Sequence, residues 1–221
     1  MNYLKKVMIG TPSHDGRVDV WYANSLVNTV RICEPRNIFL NPVSICYDSL
    51  IQRARNDCIK IAVEGDYDCL IFIDSDMEWQ PEWVVELIDR SEDIVGGTCR
   101  KKTDEAELYA IKTRNINKSS NGLIEVESIG TGFVKLSRNA LRAIWEASEP
   151  YTNGDRHGRM CCNVIVKDGE LVSEDIVLFE RLRELGFSVW LDPKMCCVHI
   201  GVKKFYGNLE AFIEKLQNSK G

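Results

Sequence analysis

Asp68-Cys69-Leu70-Ile71-Phe72-Ile73-Asp74-Ser75-Asp76 is the stretch whose reading decides the fold. Five apolar residues in a row, with no polar alternation, mark a strand covered on both faces, as in a parallel sheet. The run stops abruptly at two aspartates two positions apart. In open α/β sheets, that end of a strand is where ligands bind.

Outward from this strand the pattern alternates. Val7-Met8-Ile9 reads as a shorter buried strand ending in a loop of turn formers, Gly10-Thr11-Pro12-Ser13. Val20 to Ile32 carries Leu26, Val27 and Val30 at helical spacing, and Ser49 to Val63 carries Leu50, Ile51, Ala54, Cys58, Ile61 and Ala62 likewise. Downstream, Pro81-Glu82 opens a helix with Val84, Leu87 and Ile88 inward, since Pro suits the first turn and Glu its positive end. Asp93-Ile94-Val95-Gly96-Gly97 follows as another short parallel strand. Strand and helix alternating in this way predict a doubly wound half-domain.

The second half reads as antiparallel additions to the sheet. Leu108 to Thr113 and Leu123 to Glu127 flank Asn117-Lys118-Ser119-Ser120-Asn121-Gly122, and Val164-Ile165-Val166 meets Glu170-Leu171-Val172 across Lys167-Asp168-Gly169, a hairpin signature. Ser173 precedes a helix with Ile176, Phe179, Leu182 and Leu185 on one face, and Gly186 is placed to end it. Asn208 precedes a short amphipathic helix bearing Leu209, Phe212, Ile213 and Leu216.

Composition bounds the function. The 221 residues suffice for one large α/β domain, and 44% hydrophobic with 28% charged residues is ordinary globular usage. A net charge of -5, from 33 acidic and 28 basic residues, provides no general basic field for DNA or RNA. No segment reaches the ~18 apolar residues that span a bilayer, and Met1-Asn2-Tyr3-Leu4-Lys5-Lys6 has no signal-peptide character. A cytoplasmic location is therefore expected, a host's cytoplasm for a viral chain. The nine cysteines are odd in number, and Cys161-Cys162 and Cys196-Cys197 are adjacent rather than spaced as zinc ligands, which reads as reduced thiols. Cys46, Cys58 and Cys69 sit among apolar residues as small hydrophobes.

Several groups can carry chemistry. Asp74 and Asp76 at a strand end would repel unless a cation compensated them, and Mg²⁺ or Mn²⁺ held by carboxylates and diphosphate oxygens does so. Aspartates there are also ordinary turn formers. His199, after Met195-Cys196-Cys197-Val198, is placed either to complete such a shell or to sit satisfied in the core. Glu174 and Asp175 suit the positive end of a helix, and a carboxylate so fixed is also a candidate general base. Arg53, Asn56 and Arg100-Lys101-Lys102 are candidates for phosphate contacts. Gly130-Thr131-Gly132 permits close backbone approach to a ligand or marks a bulge. Trp79, Trp83 and Trp145 serve as core or as sugar platforms.

Taken in order, these segments resemble the GT-A glycosyltransferases, especially the small family-2-like enzymes of bacteria, phages and large viruses. The resemblance runs from Val7 to about Gly201. Its motifs are the strand ending Asp74-Ser75-Asp76, Ile94-Val95-Gly96-Gly97 with Lys102 beyond, Gly130 to Leu136, Glu174-Asp175-Ile176-Val177-Leu178-Phe179 leading to Asp192-Pro193, and His199-Ile200-Gly201.

That resemblance implies a mixed α/β GT-A (Rossmann-like) sheet, parallel in its N-terminal half. It implies one domain over 1–221: a nucleotide-sugar half at 1–102, an acceptor-binding and catalytic half at 103–201, and a C-terminal loop and helix at 202–221. A nucleoside-diphosphate sugar is the implied donor, UDP first and GDP next, and a glycan or glycoprotein the acceptor. Asp76 is then the direct ligand of Mn²⁺ or Mg²⁺, with Asp74 on the ribose or the ion's water shell and His199 as a further ligand. Thr11, Pro12, Arg53, Asn56, Ser75, Lys102 and Gly132 line the donor site. Asp175 is the base of an inverting reaction, Glu174 helps to hold the acceptor, and Lys203-Lys204-Phe205-Tyr206-Gly207 is a lid. A retaining transferase shares the scaffold. A nucleotidyltransferase needs a richer phosphate loop than Thr11 to Arg17, with its one glycine and one arginine. A degenerate sugar-nucleotide-binding module has no need of a base.

Overall fold

The computed structural model describes residues 5–104, 107–113, 116, 119 and 121–218. Asn117, Lys118 and Ser120 of the expected loop, and Met1 to Leu4, lie outside the described residues. The first half runs β1 (Lys5–Ser13), α1 (Val20–Cys33), β2 (Ile38–Cys46), α2 (Ile51–Glu64), β3 (Cys69–Ile73), β4 (Met77–Glu78), α3 (Pro81–Asp89) and β5 (Ile94–Cys99). Next come β6 (Ile111–Lys112), β7 (Ile124–Val126), β8 (Ser128–Ile129), β9 (Phe133–Ser137) and α4 (Arg138–Glu146). The remainder is β10 (Pro150–Asn153), β11 (Arg156–Arg159), β12 (Ile165–Lys167), β13 (Glu170–Val172), α5 (Glu174–Glu184), β14 (Val189–Ile200), β15 (Lys204–Phe205) and α6 (Leu209–Asn218).

The main sheet has the order β15-β14-β5-β9-β3-β1-β2, with β4 and β7 paired to β14. It is a mixed, Rossmann-like sheet of the GT-A type. Parallel ladders join β2 to β1, β1 to β3, and β5 to β14, whereas β9 runs antiparallel between β3 and β5. The unbroken apolar run of β3 is fully buried, as expected. Its neighbour toward β5 nevertheless comes from the second half of the chain, so the parallel half is split rather than continuous.

Other sequence expectations change in the folded chain. β1 continues through Gly10-Thr11-Pro12-Ser13 because β2 offers a partner for every residue of it. Pro42 within β2 is tolerated because β2 is an edge strand, where a missing N–H costs no ladder bond. The hairpin of β12 and β13 forms, with Asp168 and Gly169 at φ 53° and 83°, but it stands as its own two-stranded sheet. β6 pairs with β8 and β7 with β14, so among the described residues the segments 108–113 and 123–127 meet only at the end of the second, where Glu127 N–H donates to Lys112 O at 2.7 Å. Lys204–Phe205, expected in a lid, is a strand paired to β14. All nine cysteines are free, and Cys46 is exposed.

α1 turns a face inward that apolar spacing did not mark. Tyr22, Ser25, Thr29 and Cys33 are buried, while Val27 and Val30 are exposed. The cause is buried Trp79, whose Nε1–H donates to Thr29 Oγ1 at 3.0 Å and whose carbonyl accepts from Ser25 Oγ at 3.0 Å. A buried indole N–H needs an acceptor, and two hydroxyls one turn apart supply the polar match. Thr29→Val keeps the shape and strands that donor. It should lower stability by about 1–3 kcal/mol, read as a reduced urea midpoint at unchanged slope; a wild-type midpoint would contradict the assignment.

Candidate functional site

The turn after β3 projects Asp74, Ser75 and Asp76 from the carboxyl end of the sheet. Two backbone bonds close it, Met77 N–H to Asp74 O at 3.2 Å and Asp74 N–H to Gly132 O at 3.2 Å. Ser75 O accepts from Asp19 N–H at 2.9 Å, tying the turn to the start of α1. Gly132 packs closely here: a Cβ there would stand 2.4 Å from Met77 Cε, which would have to move, and 3.1 Å from Asp74 Oδ2.

Asp74 and Asp76 face different cations. Arg55 of α2, only 3% exposed, donates from Nη2 to Asp74 Oδ1 at 3.0 Å and from Nη1 to Glu174 Oε1. One guanidinium thus joins the end of β3 to the first residue of α5. Burial favours loss of the Arg55 proton, and the two carboxylates outweigh it, so the group stays charged. Sequence reading passed over Arg55 for Arg53. The available signal was Arg55-Ile59-Ala62, a cation within a helical stripe that is otherwise apolar.

Asp76 lies in a second cluster. Lys102 Nζ donates to Asp76 Oδ2 at 2.5 Å, and His199 Nε2 stands 3.6 Å from the same oxygen. Burial raises the Asp76 carboxyl, while hydrogen bonds from His199 and Lys102 more than offset it, leaving the group below its ordinary value.

These residues fit a divalent ion in a limited way. His199 Nδ1 is 3.1 Å from Arg100 O, and a carbonyl accepts only, so Nδ1 carries the proton. Nε2 then faces the Asp76 carboxylate oxygen, donating to it when the ring is protonated and offering a lone pair to a cation when it is not. A ligating histidine whose second nitrogen donates to a backbone carbonyl has the usual outer-shell support of metal sites. Asp74 does not join, and among the described residues no three His, Cys, Asp or Glu side chains converge. Two protein ligands completed by water and phosphate is how Mg²⁺ binds at phosphate-transfer sites.

The other expected donor-site residues are engaged elsewhere. Thr11 Oγ1 bonds Tyr22 OH at 2.5 Å in the core, where burial pushes the Tyr22 hydroxyl up to about 12, and Pro12 is buried beside it. Arg53 grips Asp48 with both Nε, at 2.7 Å, and Nη2, at 2.8 Å. Asn56 is buried, donating to Cys162 O at 3.1 Å and accepting from Cys162 N–H at 2.7 Å, so it clamps the 160–162 loop. Asp175 is half-buried at the start of α5, its Oδ1 accepting from Ser173 Oγ and from Ile176 N–H at 2.8 Å. Lys204 points away from Asp76, bonding Glu78 at 2.6 Å and lying 3.3 Å over the Trp21 ring.

No protein-family profile and no curated protein matches the sequence. Among solved structures, the chain is similar to A197 from STIV, with TM-score 0.58 and 16% identity over 90% of this chain and 86% of that one. It is also similar to a glycosyltransferase involved in the glycosylation of the major capsid of PBCV-1, with TM-score 0.36 and 14% identity over 63% of this chain and 65% of that one. At such identity the first is a likeness of fold alone, and the second superposes too poorly to bear on fold or activity.

Two measurements check the site. Arg55→Met leaves Asp74 and Glu174 facing each other unpaired and should cost about 3–5 kcal/mol, with part regained in Arg55→Met/Glu174→Gln; a variant as stable as wild type would refute the bridge. For Asp76, a folded pKa below the unfolded one gives stability that is present above the unfolded value near ~3.9 and lost as pH falls through the folded value. Asp76→Asn should therefore flatten the fall in melting temperature between about pH 5 and pH 2. An unaltered acid limb would contradict the shift.

Proposed function

We propose that this chain is a glycosyltransferase that moves a sugar from a nucleoside-diphosphate sugar to a hydroxyl of a glycan or glycoprotein, with UDP the first choice of nucleotide and GDP the second. The observation that carries this reading is the pairing of two charge clusters at the carboxyl end of β3. Asp76, Lys102 and His199 gather around one carboxylate oxygen, beside the Asp74–Arg55–Glu174 bridge. An open α/β sheet binds its ligand at that end, and the absence of a general basic field turns the choice from nucleic acid toward a small polyphosphate.

Mn²⁺ or Mg²⁺, held by Asp76 and His199, would supply Lewis-acid stabilisation to a departing diphosphate. Lys102 adds a mobile ammonium beside the same oxygens, suited to a phosphate as a point charge. Asp74 has Oδ1 fixed by Arg55, leaving Oδ2 to accept from a ribose hydroxyl.

In an inverting reaction, Asp175 accepts the proton of the acceptor hydroxyl while that oxygen bonds to the anomeric carbon and the bond to the diphosphate breaks. Oδ1 of Asp175 is committed to Ser173 and to the helix start, so Oδ2 is the atom that takes the proton. Glu174, one residue away, is held by Arg55 and acts as a positioning residue for the base.

Asp175→Asn should abolish transfer while donor binding stays near normal, measured by product formation alongside calorimetric titration. Full transfer in that variant would refute the base. Asp76→Ala should suppress Mn²⁺-dependent release of nucleoside diphosphate, and undiminished release would sink the ligand assignment.

A further inference from the structure

We propose that the cleft between α1, α3 and the β4–β14 ribbon is a second carbohydrate site, one that takes a neutral oligosaccharide and lies apart from the Asp76–His199 cluster. Glu78 and Val198 form a cross-strand pair and both line the cleft. Their neighbours Met77 and His199 pair in the next register and so face the other way, toward Asp76 and Gly132. The ribbon thus separates two concavities.

The cleft has the chemistry that sugars need. Trp21, Asn24 and Asn28, at i, i+3 and i+7 of α1, present one exposed face over it. Gln80 and Trp83 face them from the start of α3. Pyranose rings have apolar C–H faces that stack on aromatic rings, and Trp21 is 43% and Tyr206 62% exposed, unusual for such large rings. Sugar hydroxyls both donate and accept, as carboxamides do. The side-chain amides of Asn24, Asn28 and Gln80 make no hydrogen bond among the described residues.

Charge selects a neutral ligand. Glu78, the one carboxylate lining the cleft among the described residues, is neutralised by Lys204 at 2.6 Å. Lys204 covers one face of Trp21, and the ring lines the cleft. The floor is rigid, because Ser25 and Trp79 beneath it are locked by mutual hydrogen bonds. At about 510 Å³ the cavity falls within the usual range of small-ligand sites.

The test uses the full chain with EDTA and no nucleotide, so that its outcome is independent of the transferase reading. Four neutral tetrasaccharides are titrated, built from α-linked glucose, β-linked glucose, mannose and N-acetylglucosamine, with binding read by tryptophan fluorescence and calorimetry. At least one should bind at millimolar concentration or below. Trp21→Ala and Asn24→Ala/Asn28→Ala should each weaken it about tenfold or more, Trp21→Phe should retain most of the affinity, and Asp76→Ala should leave it unchanged. No binding by any tetrasaccharide, binding indifferent to Trp21 and the two asparagines, or binding lost with Asp76 would each overturn the proposal.

Discussion

The structure turns on a guanidinium taken out of water. Arg55 sits wholly within the protein, and its charge is tolerable there only because Asp74 and Glu174 flank it. Glu174, the more buried of the two carboxylates, depends on Arg55 in turn. The three come from α2, the end of β3 and the start of α5, so one buried ion pair network brings together segments 119 residues apart in sequence. Such a network adds little net stability over a well-packed apolar core, but removing any one member leaves a buried charge uncompensated. It therefore defines where α5 begins relative to the strand that carries the aspartates.

That constraint divides the labour between two neighbouring carboxylates. Asp74 is occupied within the protein, and Asp76 faces outward to Lys102 and His199. The strand β9, inserted between β3 and β5, places Gly132 against Asp74, and the 12-residue β14 brings His199 to Asp76. A bulge in β14 between Leu191 and Cys196 allows this strand to leave the sheet's plane, with Gly97 pressed against Met195: a Cβ at Gly97 would stand 2.1 Å from Met195 O.

Much of this was legible from residues alone, where a segment's pattern matched its burial. β3, the N-terminal proline of α3, the Asp168-Gly169 hairpin and the glycine after α5 follow local rules that tertiary contacts did not override. α1 was legible as a helix, but its buried face was not, because that face is polar: periodicity counts apolar residues, and Ser25 and Thr29 are inside to serve Trp79. β2 escaped notice because it is an edge strand interrupted by Pro42. The insertion of β9 is a long-range pairing that no local pattern encodes. At the site, the two aspartates and His199 stand out by position, whereas Thr11 and Asn56 look like ligand residues until their core partners are known. Arg55 was the reverse case, a cation whose importance depends on carboxylates 19 and 119 residues away.

Binding of a nucleoside diphosphate with a divalent ion at the β3 end can be read by melting the protein with UDP, GDP, CDP, dTDP and ADP, each with and without Mn²⁺. A ligand at about 100 times its dissociation constant adds roughly 2.7 kcal/mol, enough for a chain of this size to melt several degrees higher. Such a rise is expected with one diphosphate, UDP first, only when the metal is present. No rise with any of them would contradict it.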